Sequence, residues 1–234
     1  MSLDLLAIMA HPDDAELLCG GTLAKAAAQG HRVGILDLTA GEGGSLGDAS
    51  TRAREAEQAA RILGVEIRQT AGLRDGALEN TVAARERVVE LVRQLAPRVV
   101  ILHWPEARHP DHRIASELAR DACFAAGIRG GHRPQKILYA LTYQEAHVKP
   151  TFVVDITAQI EQKLDAIFAF ASQFGGEKTA MGDVLGGSTR SLRDQILAHH
   201  AHYGSLIRTD YGEPFWTKET MIVEDVMRAG VRTF

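Results

Sequence analysis

Apolar positions along the chain fall into two alternating textures. Short runs rich in Val, Ile and Leu occupy residues 3–9, 32–39, 65–69 and 98–103. Between them, residues 21–29, 51–63 and 82–95 carry apolar side chains three or four apart. The runs predict buried strands, and the spaced stretches predict amphipathic helices. Gly30 and Gly64 each stand one residue past a predicted helix, where a left-handed terminal residue belongs, and Pro97 stops the third helix. Alternation of this kind with short connections implies an α/β fold. Its sheet is mostly parallel, with right-handed crossovers and helices on both faces. The pattern continues with a helix over 114–126, strands over 137–142 and 152–156, and a helix over 159–170. One domain is expected over 1–234, with the sheet core at about 1–160 and a C-terminal helix and loop appendage at about 161–234. In that appendage 174–188 is glycine-rich and reads as a surface loop, and 189–203 reads as a helix. Residues 204–217 read as a turn-rich tail folded back over the sheet, within reach of covering a site there.

Composition narrows the class. With 45% hydrophobic and 24% charged residues, the chain is an ordinary globular protein long enough for one sizeable core. A net charge of −4 and the lack of any Lys/Arg cluster leave no electrostatic footprint for nucleic acid. No stretch approaches the roughly 18 apolar residues of a membrane span, and no basic segment precedes an apolar one at the N-terminus. A cytoplasmic protein without membrane contact is expected. Cys19 and Cys123 lie in apolar helical patterns and read as reduced core thiols.

The chemistry concentrates in two turns. Residues 9–16, Met-Ala-His-Pro-Asp-Asp-Ala-Glu, directly follow the first apolar run, and residues 109–112, His-Pro-Asp-His, follow the fourth. In an open α/β sheet, ligands bind beyond the C-terminal ends of strands. His11 and Asp14 are three apart on a turn entering a helix, and His112 joins them if the first and fourth strands are neighbours. Two imidazoles and one carboxylate suit a catalytic zinc with a fourth position open for water, which would ionise near pH 7. A second aspartate is then available to accept the proton, as Asp13 offers, although spacing alone does not divide the roles of Asp13 and Asp14. His109 is a spare imidazole for proton donation or oxyanion stabilisation, and Asp111 is a carboxylate able to orient a histidine ring. Either turn alone is equally readable as helix caps and turn formers. Together, at two strand ends, they point to a metal site.

Other features are weighed against blander readings. Residues 39–47 nearly match a dinucleotide fingerprint, but the last glycine is one residue late and the segment follows the second strand, not the first. These glycines are read as a loop lying close over a substrate, or as a surface turn. Asp48 or Ser50 caps the next helix, which puts Arg52 in its first turn, against the macrodipole. Arg52 is therefore either a solvated arginine or a grip for an anionic or polyhydroxyl ligand. Glu16 reads as a first-turn carboxylate and Asp37 as support for a ligand. His199, His200 and His202 cannot share one helix face and are expected to be exposed. Trp104 is read as packing, and His103 as a strand end without catalytic duty.

The motif Ala10-His11-Pro12-Asp13-Asp14-Ala15-Glu16, with Gly20-Gly21-Thr22 behind it and His109-Pro110-Asp111-His112 downstream, resembles the LmbE-like (PIG-L) family of zinc-dependent N-acetylglucosamine deacetylases. The likeness extends through Asp37-Leu38-Thr39, Arg52 with Glu55-Ala56, residues 59–65 and residues 124–128, and weakly through Ser172-Gln173-Phe174 and residues 211–215. It implies a Rossmann-like fold and one zinc on His11, Asp14 and His112. It further implies Asp13 as general base, His109 beside the tetrahedral oxyanion, and Arg52 in contact with substrate. The nearest branch deacetylates N-acetylglucosaminyl-malate in bacillithiol synthesis, and its members are often hexamers. This chain departs from that branch over 41–50 and 174–188, which leaves the aglycone open. The implied ligand is a small N-acetylglucosamine conjugate and the implied assembly a homo-oligomer. Rival readings are deacetylation of another such conjugate, a nucleotide-dependent transferase using the 41–47 loop, and a non-catalytic carbohydrate- or metal-binding module.

Overall fold

The computed structural model describes residues 2–44, 46–141, 143, 148–175, 190–225, 227 and 230. Its strands are β1 (Leu5–Met9), β2 (Val33–Thr39), β3 (Ile67–Leu73), β4 (Val99–His103), β5 (Lys136–Ala140), β6 (Phe152–Asp155) and β7 (Gly212–Trp216). The helices are α1 (Asp14–Ala28), α2 (Ala49–Leu63), α3 (Val82–Leu95), α4 (Pro110–Ala126), α5 (Ile160–Phe168), α6 (Ala171–Phe174) and α7 (Leu192–Ile207). All seven strands join one sheet of order β3-β2-β1-β4-β5-β7-β6. The first five run parallel, and β7 is antiparallel to both of its neighbours.

Strand β1 shows why the apolar runs become central strands. Its residues are buried on both faces: Leu5, Ala7 and Met9 enter one core layer, and Leu6 and Ile8 the other. A strand covered on both sides has no polar alternation to display. The first layer takes Leu23 of α1, Leu63 of α2 and Ile167 of α5, and the second takes Val92 of α3 and Leu118 of α4. Each such side chain contributes about 1.5–3 kcal/mol of burial. Cys19 and Cys123 are free and sit in opposite layers, so the sheet itself separates them. Helix α2 begins at an Asp48 cap whose side chain accepts the Thr51 N–H, and it ends at Gly64 with φ 72°.

Helix α1 starts at Asp14, seven residues before the predicted stretch, because it is two helical pieces joined at Cys19 (φ −143°, ψ 15°). The break strips hydrogen bonds from both pieces, and buried side chains from distant elements replace them. Lys163 Nζ and the Tyr143 hydroxyl donate to the Leu17 carbonyl at 2.7 and 3.1 Å. The Gly21 and Thr22 amides donate to the Glu213 carboxylate at 2.8 and 2.6 Å. Lys163 and Glu213 pair with each other at 2.6 Å, both fully buried.

Two expectations about the C-terminal part are corrected. The sheet does not end near residue 160: β7 lies within the stretch read as a turn-rich tail and inserts between β5 and β6. Its pattern is disguised because the inward position Glu213 is a carboxylate serving the α1 break, and Pro214 follows it. His200 is not exposed; it is buried, with Nδ1 2.9 Å from the Gly212 carbonyl and Nε2 2.9 Å from the Tyr143 hydroxyl. His199 is half-buried and stacks on Tyr143 at 4.1 Å, whereas His202 is exposed. Of the glycine-rich stretch 174–188, residues 176–188 lie outside the described residues.

Candidate metal centre

Strands β1 and β4 are parallel neighbours, with Leu5 opposite Val99 and Ala7 opposite Ile101. The chain leaves β1 toward β2 on one side and reaches β4 on the other, so the strand order reverses between β1 and β4. Crevices of doubly wound sheets open at such points, beyond the C-terminal strand ends. The turn after β1 brings His11, Asp13 and Asp14 to this edge, and the N-terminus of α4 brings His109, Asp111 and His112.

The six residues separate by geometry. Asp14 Oδ2 lies 3.3 Å from His11 Nδ1, and Asp14 Oδ1 lies 3.2 Å from His112 Nε2. One potential ligand atom from each of these three residues falls within 4.8 Å of the other two. This donor set of two imidazole nitrogens and one carboxylate oxygen fits a zinc-type cation with an open fourth position. Burial raises the Asp14 pKa, but His112 and His103 hold it well below the usual carboxylate range. Burial opposes charge on His11, yet Asp14 and Asp75 raise its pKa to about 11.

A second triplet, His11, Asp75 and Asp111, also converges within 4.8 Å but uses the other ring nitrogen. His11 Nε2 is 3.1 Å from Asp75 Oδ1 and 3.4 Å from Asp111 Oδ2. A neutral imidazole that gives its Nδ1 lone pair to a cation keeps its proton on Nε2. The two carboxylates are then acceptors that fix the ring plane, not further ligands. Backbone amides hold them in turn: Gly43 donates to Asp75 Oδ2 at 2.9 Å, and Gly76 to Asp111 Oδ2 at 2.8 Å. Asp75 is absent from the sequence reading because Arg74-Asp75-Gly76 looks like any turn.

His103, expected at a strand end without catalytic duty, has a structural part in the site. The ring is fully buried, and Nε2 accepts the Ala10 N–H at 2.9 Å and lies 3.3 Å from Asp14 Oδ2. It stacks on His112 at 4.1 Å between ring centroids. Burial and the neighbouring His112 lower its pKa to about 4. His103 thus ties the end of β4 to the backbone that leads into His11. His109 is an exposed ring at the rim that caps α4, Nδ1 accepting the Asp111 N–H at 3.2 Å. That bond leaves the neutral ring's hydrogen on Nε2. His109 stacks on His112 at 4.6 Å, and burial followed by His112 lowers its pKa.

Asp13 stands apart. Its backbone adopts φ 110°, ψ −27°, a conformation that costs a non-glycine residue about 1–3 kcal/mol and persists only when its surroundings enforce it. Its carboxylate turns to Arg52, whose Nη2 donates to Oδ2 at 2.8 Å. Burial pushes the Asp13 pKa up to about 8, against the opposing effect of Arg52. Arg52 itself is buried and also donates to the carbonyls of Pro12 and Gly41, so it is not a solvated arginine. Asp37 pairs with Arg68 at 2.7 and 3.1 Å, and the same guanidinium reaches Glu16 at 2.5 Å, so among the described residues Asp37 serves this ion-pair cluster. Trp104 packs edge-on against Trp216 at 5.3 Å between ring centroids.

The His–Asp–His triplet could hold a cation, has a buried aspartate beside it and lies at the switch point of a mostly parallel sheet, an arrangement suited to metal-assisted hydrolysis. Residues 6–123, half of the chain, match the family model described as PIG-L, GlcNAc-PI de-N-acetylase. The chain is 33% identical over 187 residues to the diacetylchitobiose deacetylase of Thermococcus kodakarensis, covering 73% of this chain and 70% of that protein. It is 30% identical over 227 residues to the 1D-myo-inositol 2-acetamido-2-deoxy-alpha-D-glucopyranoside deacetylase of Corynebacterium glutamicum, covering 83% and 70% respectively. A conserved protein of Thermus thermophilus superposes with a TM-score of 0.85 at 36% identity, covering 97% of this chain and all of that one. The chain belongs to the PIG-L family.

Proposed function

We propose that this protein hydrolyses the acetamide of a small N-acetylglucosamine conjugate, with N-acetylglucosaminyl-malate of bacillithiol biosynthesis as the substrate to test first. Both curated relatives are named as deacetylases of acetylated amino-sugar compounds, which supports the reaction class. The observation that carries the reading is the division between adjacent aspartates. Asp14 faces two imidazoles, whereas Asp13 turns away to an arginine and keeps its other oxygen free of hydrogen bonds from described residues.

In this reading His11, Asp14 and His112 hold one zinc ion. When bound, the cation lowers the pKa of water toward about 7 and polarises a carbonyl oxygen. Asp13 accepts the proton of the attacking water as its oxygen bonds to the acetyl carbon. His109, with its Nε2 hydrogen, donates toward the oxygen that gains negative charge. The C–N bond then breaks, the amine takes a proton from Asp13 or His109, and acetate leaves. Asp75 and Asp111 keep His11 at one orientation throughout.

The nucleotide-dependent rival fares worse on electrostatics. The Gly43 amide, which a phosphate would need, already serves Asp75, and the Glu42 carboxylate accepts the Asp75 N–H beside it. A phosphate there meets negative charge. The ligand of this reading is a small molecule, with no nucleic acid or membrane partner, in a cytoplasmic homo-oligomer of six chains. Among the described residues no helix is long and apolar enough to cross a membrane. The test is acetate release from the malate, inositol and chitobiose conjugates of N-acetylglucosamine, with a chelator control. Chelator-sensitive release from at least one, fastest from malate, is expected. Zinc fully bound with no acetate from any conjugate contradicts the reading.

A further inference from the structure

We propose that the end of the sheet opposite the metal centre is an interface between copies of this chain, in which the apolar, acidic tail of one copy lies on the apolar, basic face of another. The inference rests on the reading of the protein as a homo-oligomer and names the surfaces that meet. It begins with exposed apolar side chains. Among the described residues, six of the eight large ones on the surface fall in two segments. Phe124 and Ile128, 62% and 47% exposed, lie in the last turn of α4 and just beyond it. Met221, Ile222, Val223 and Met227, between 55% and 90% exposed, follow β7. The other two, Val82 and Leu206, stand singly, as surface apolar residues commonly do.

The fold brings the two segments to one place. Strand β5 runs parallel to β4, so the connection 127–135 that feeds it lies at the N-terminal end of the parallel strands, away from the metal centre. Strand β7 runs antiparallel to β5, with Phe215 opposite Ala140 and Trp216 opposite Tyr139, so the chain leaves β7 toward that same end. Burial raises the Tyr139 pKa, Arg120 opposes the rise and Glu219 adds to it, which puts both charges near this one hydroxyl. Arg120 stands four residues before Phe124 in α4 and therefore on the same side of the helix. The tail thus starts beside the Arg120–Phe124 face, yet Ile222 is 90% exposed, so its own chain does not cover it.

Charge selects the occupant. Residues 219–225, Glu-Thr-Met-Ile-Val-Glu-Asp, carry three acids and no base, whereas residues 124–133 carry two arginines and no acid. The Arg133 guanidinium lies over the Phe124 ring at 4.5 Å, so the face presents cation and apolar surface together. The tail combines apolar surface with negative charge in the same way. Each copy therefore carries both halves of a complementary pair, and two copies related by a two-fold axis satisfy both at once.

The experiment uses the full chain loaded with zinc and measures its mass in solution by sedimentation. Phe124→Glu and Ile222→Glu each raise the dissociation constant of the assembly on the order of 100-fold, with zinc content at the wild-type value. Both positions are more than half exposed, so neither substitution empties the core. Chains carrying Phe124→Cys are then mixed with chains carrying Ile222→Cys and oxidised with diamide, and a disulfide between the two different chains is expected. The native Cys19 and Cys123 are buried and do not compete. An assembled wild type that both glutamate variants leave intact, or a mixture that forms no mixed disulfide, overturns this interface alone. So does a chain carrying both cysteine substitutions that closes its disulfide within one monomer. A wild type that sediments as a monomer overturns the homo-oligomer reading together with the interface.

Discussion

Replacing Glu213 with glutamine removes one negative charge from the buried break in α1. The wild-type carboxylate accepts two backbone amides, at 2.8 and 2.6 Å, and pairs with Lys163 at 2.6 Å where neither side chain is exposed. Glutamine keeps one acceptor oxygen, so one amide faces an NH2 group and the Lys163 ammonium loses its counter-charge. Breaking a buried pair by removing one partner costs about 3–5 kcal/mol. Against a typical total of about 5–15 kcal/mol, that is a large fraction. At about 2–4 °C per kcal/mol for a domain of this size, the melting temperature falls by about 6–20 °C. The assay is urea unfolding of wild type, Glu213→Gln, Lys163→Met and the double variant. The double variant is expected to be less destabilised than the sum of the single changes, because it leaves no orphan ammonium in the core. A Glu213→Gln loss below about 1 kcal/mol, or strict additivity, refutes the reasoning.

Two further outcomes follow from the surroundings of the site. Asp75→Ala removes the nearer acceptor on His11 Nε2, so zinc affinity falls by about 10–100-fold in a competitive chelator titration. Unchanged affinity means that Asp111 alone orients the ring. Burial, followed by the Lys163 charge, lowers the His199 pKa to about 3 from its ordinary value of 6.5. The unfolded chain therefore binds the proton first, and the contribution of this group to stability, complete above about pH 6.5, is lost as pH falls toward 3. Its slope is at most about 1.4 kcal/mol per pH unit. His199→Gln flattens the stability profile between pH 6.5 and 4; equal slopes in the two proteins contradict this.

How much of this was legible in the chain depends on who partners each residue. Strands β1, β2 and β4 were readable because both faces are covered by apolar layers, so composition alone betrays them. Strand β7 was not, since Glu213 sits inward for the benefit of amides 192 and 191 residues away. Local periodicity cannot register a partner at that distance. The early start of α1 was hidden for the same reason, as its break at Cys19 is repaired by Lys163, Tyr143 and Glu213 from three later segments. At the site, the His11–Asp14 spacing and the second histidine cluster announced themselves by residue type. Asp75 and His103 carried no such signal, one in an ordinary turn and the other at an ordinary strand end. Arg52 stands out in the sequence through its clash with the helix dipole, but its partner Asp13 lies 39 positions earlier, and only the fold brings them to 2.8 Å.

The most direct test of the central claim is the Asp13→Asn protein assayed for zinc and for acetate release side by side. Asparagine keeps the side-chain shape but cannot accept the water proton. Zinc is expected to remain at one ion per chain, held by His11, Asp14 and His112, while turnover falls by about 100- to 10,000-fold. Wild-type turnover in that variant, or loss of the zinc with the activity, contradicts the division of labour between Asp13 and Asp14.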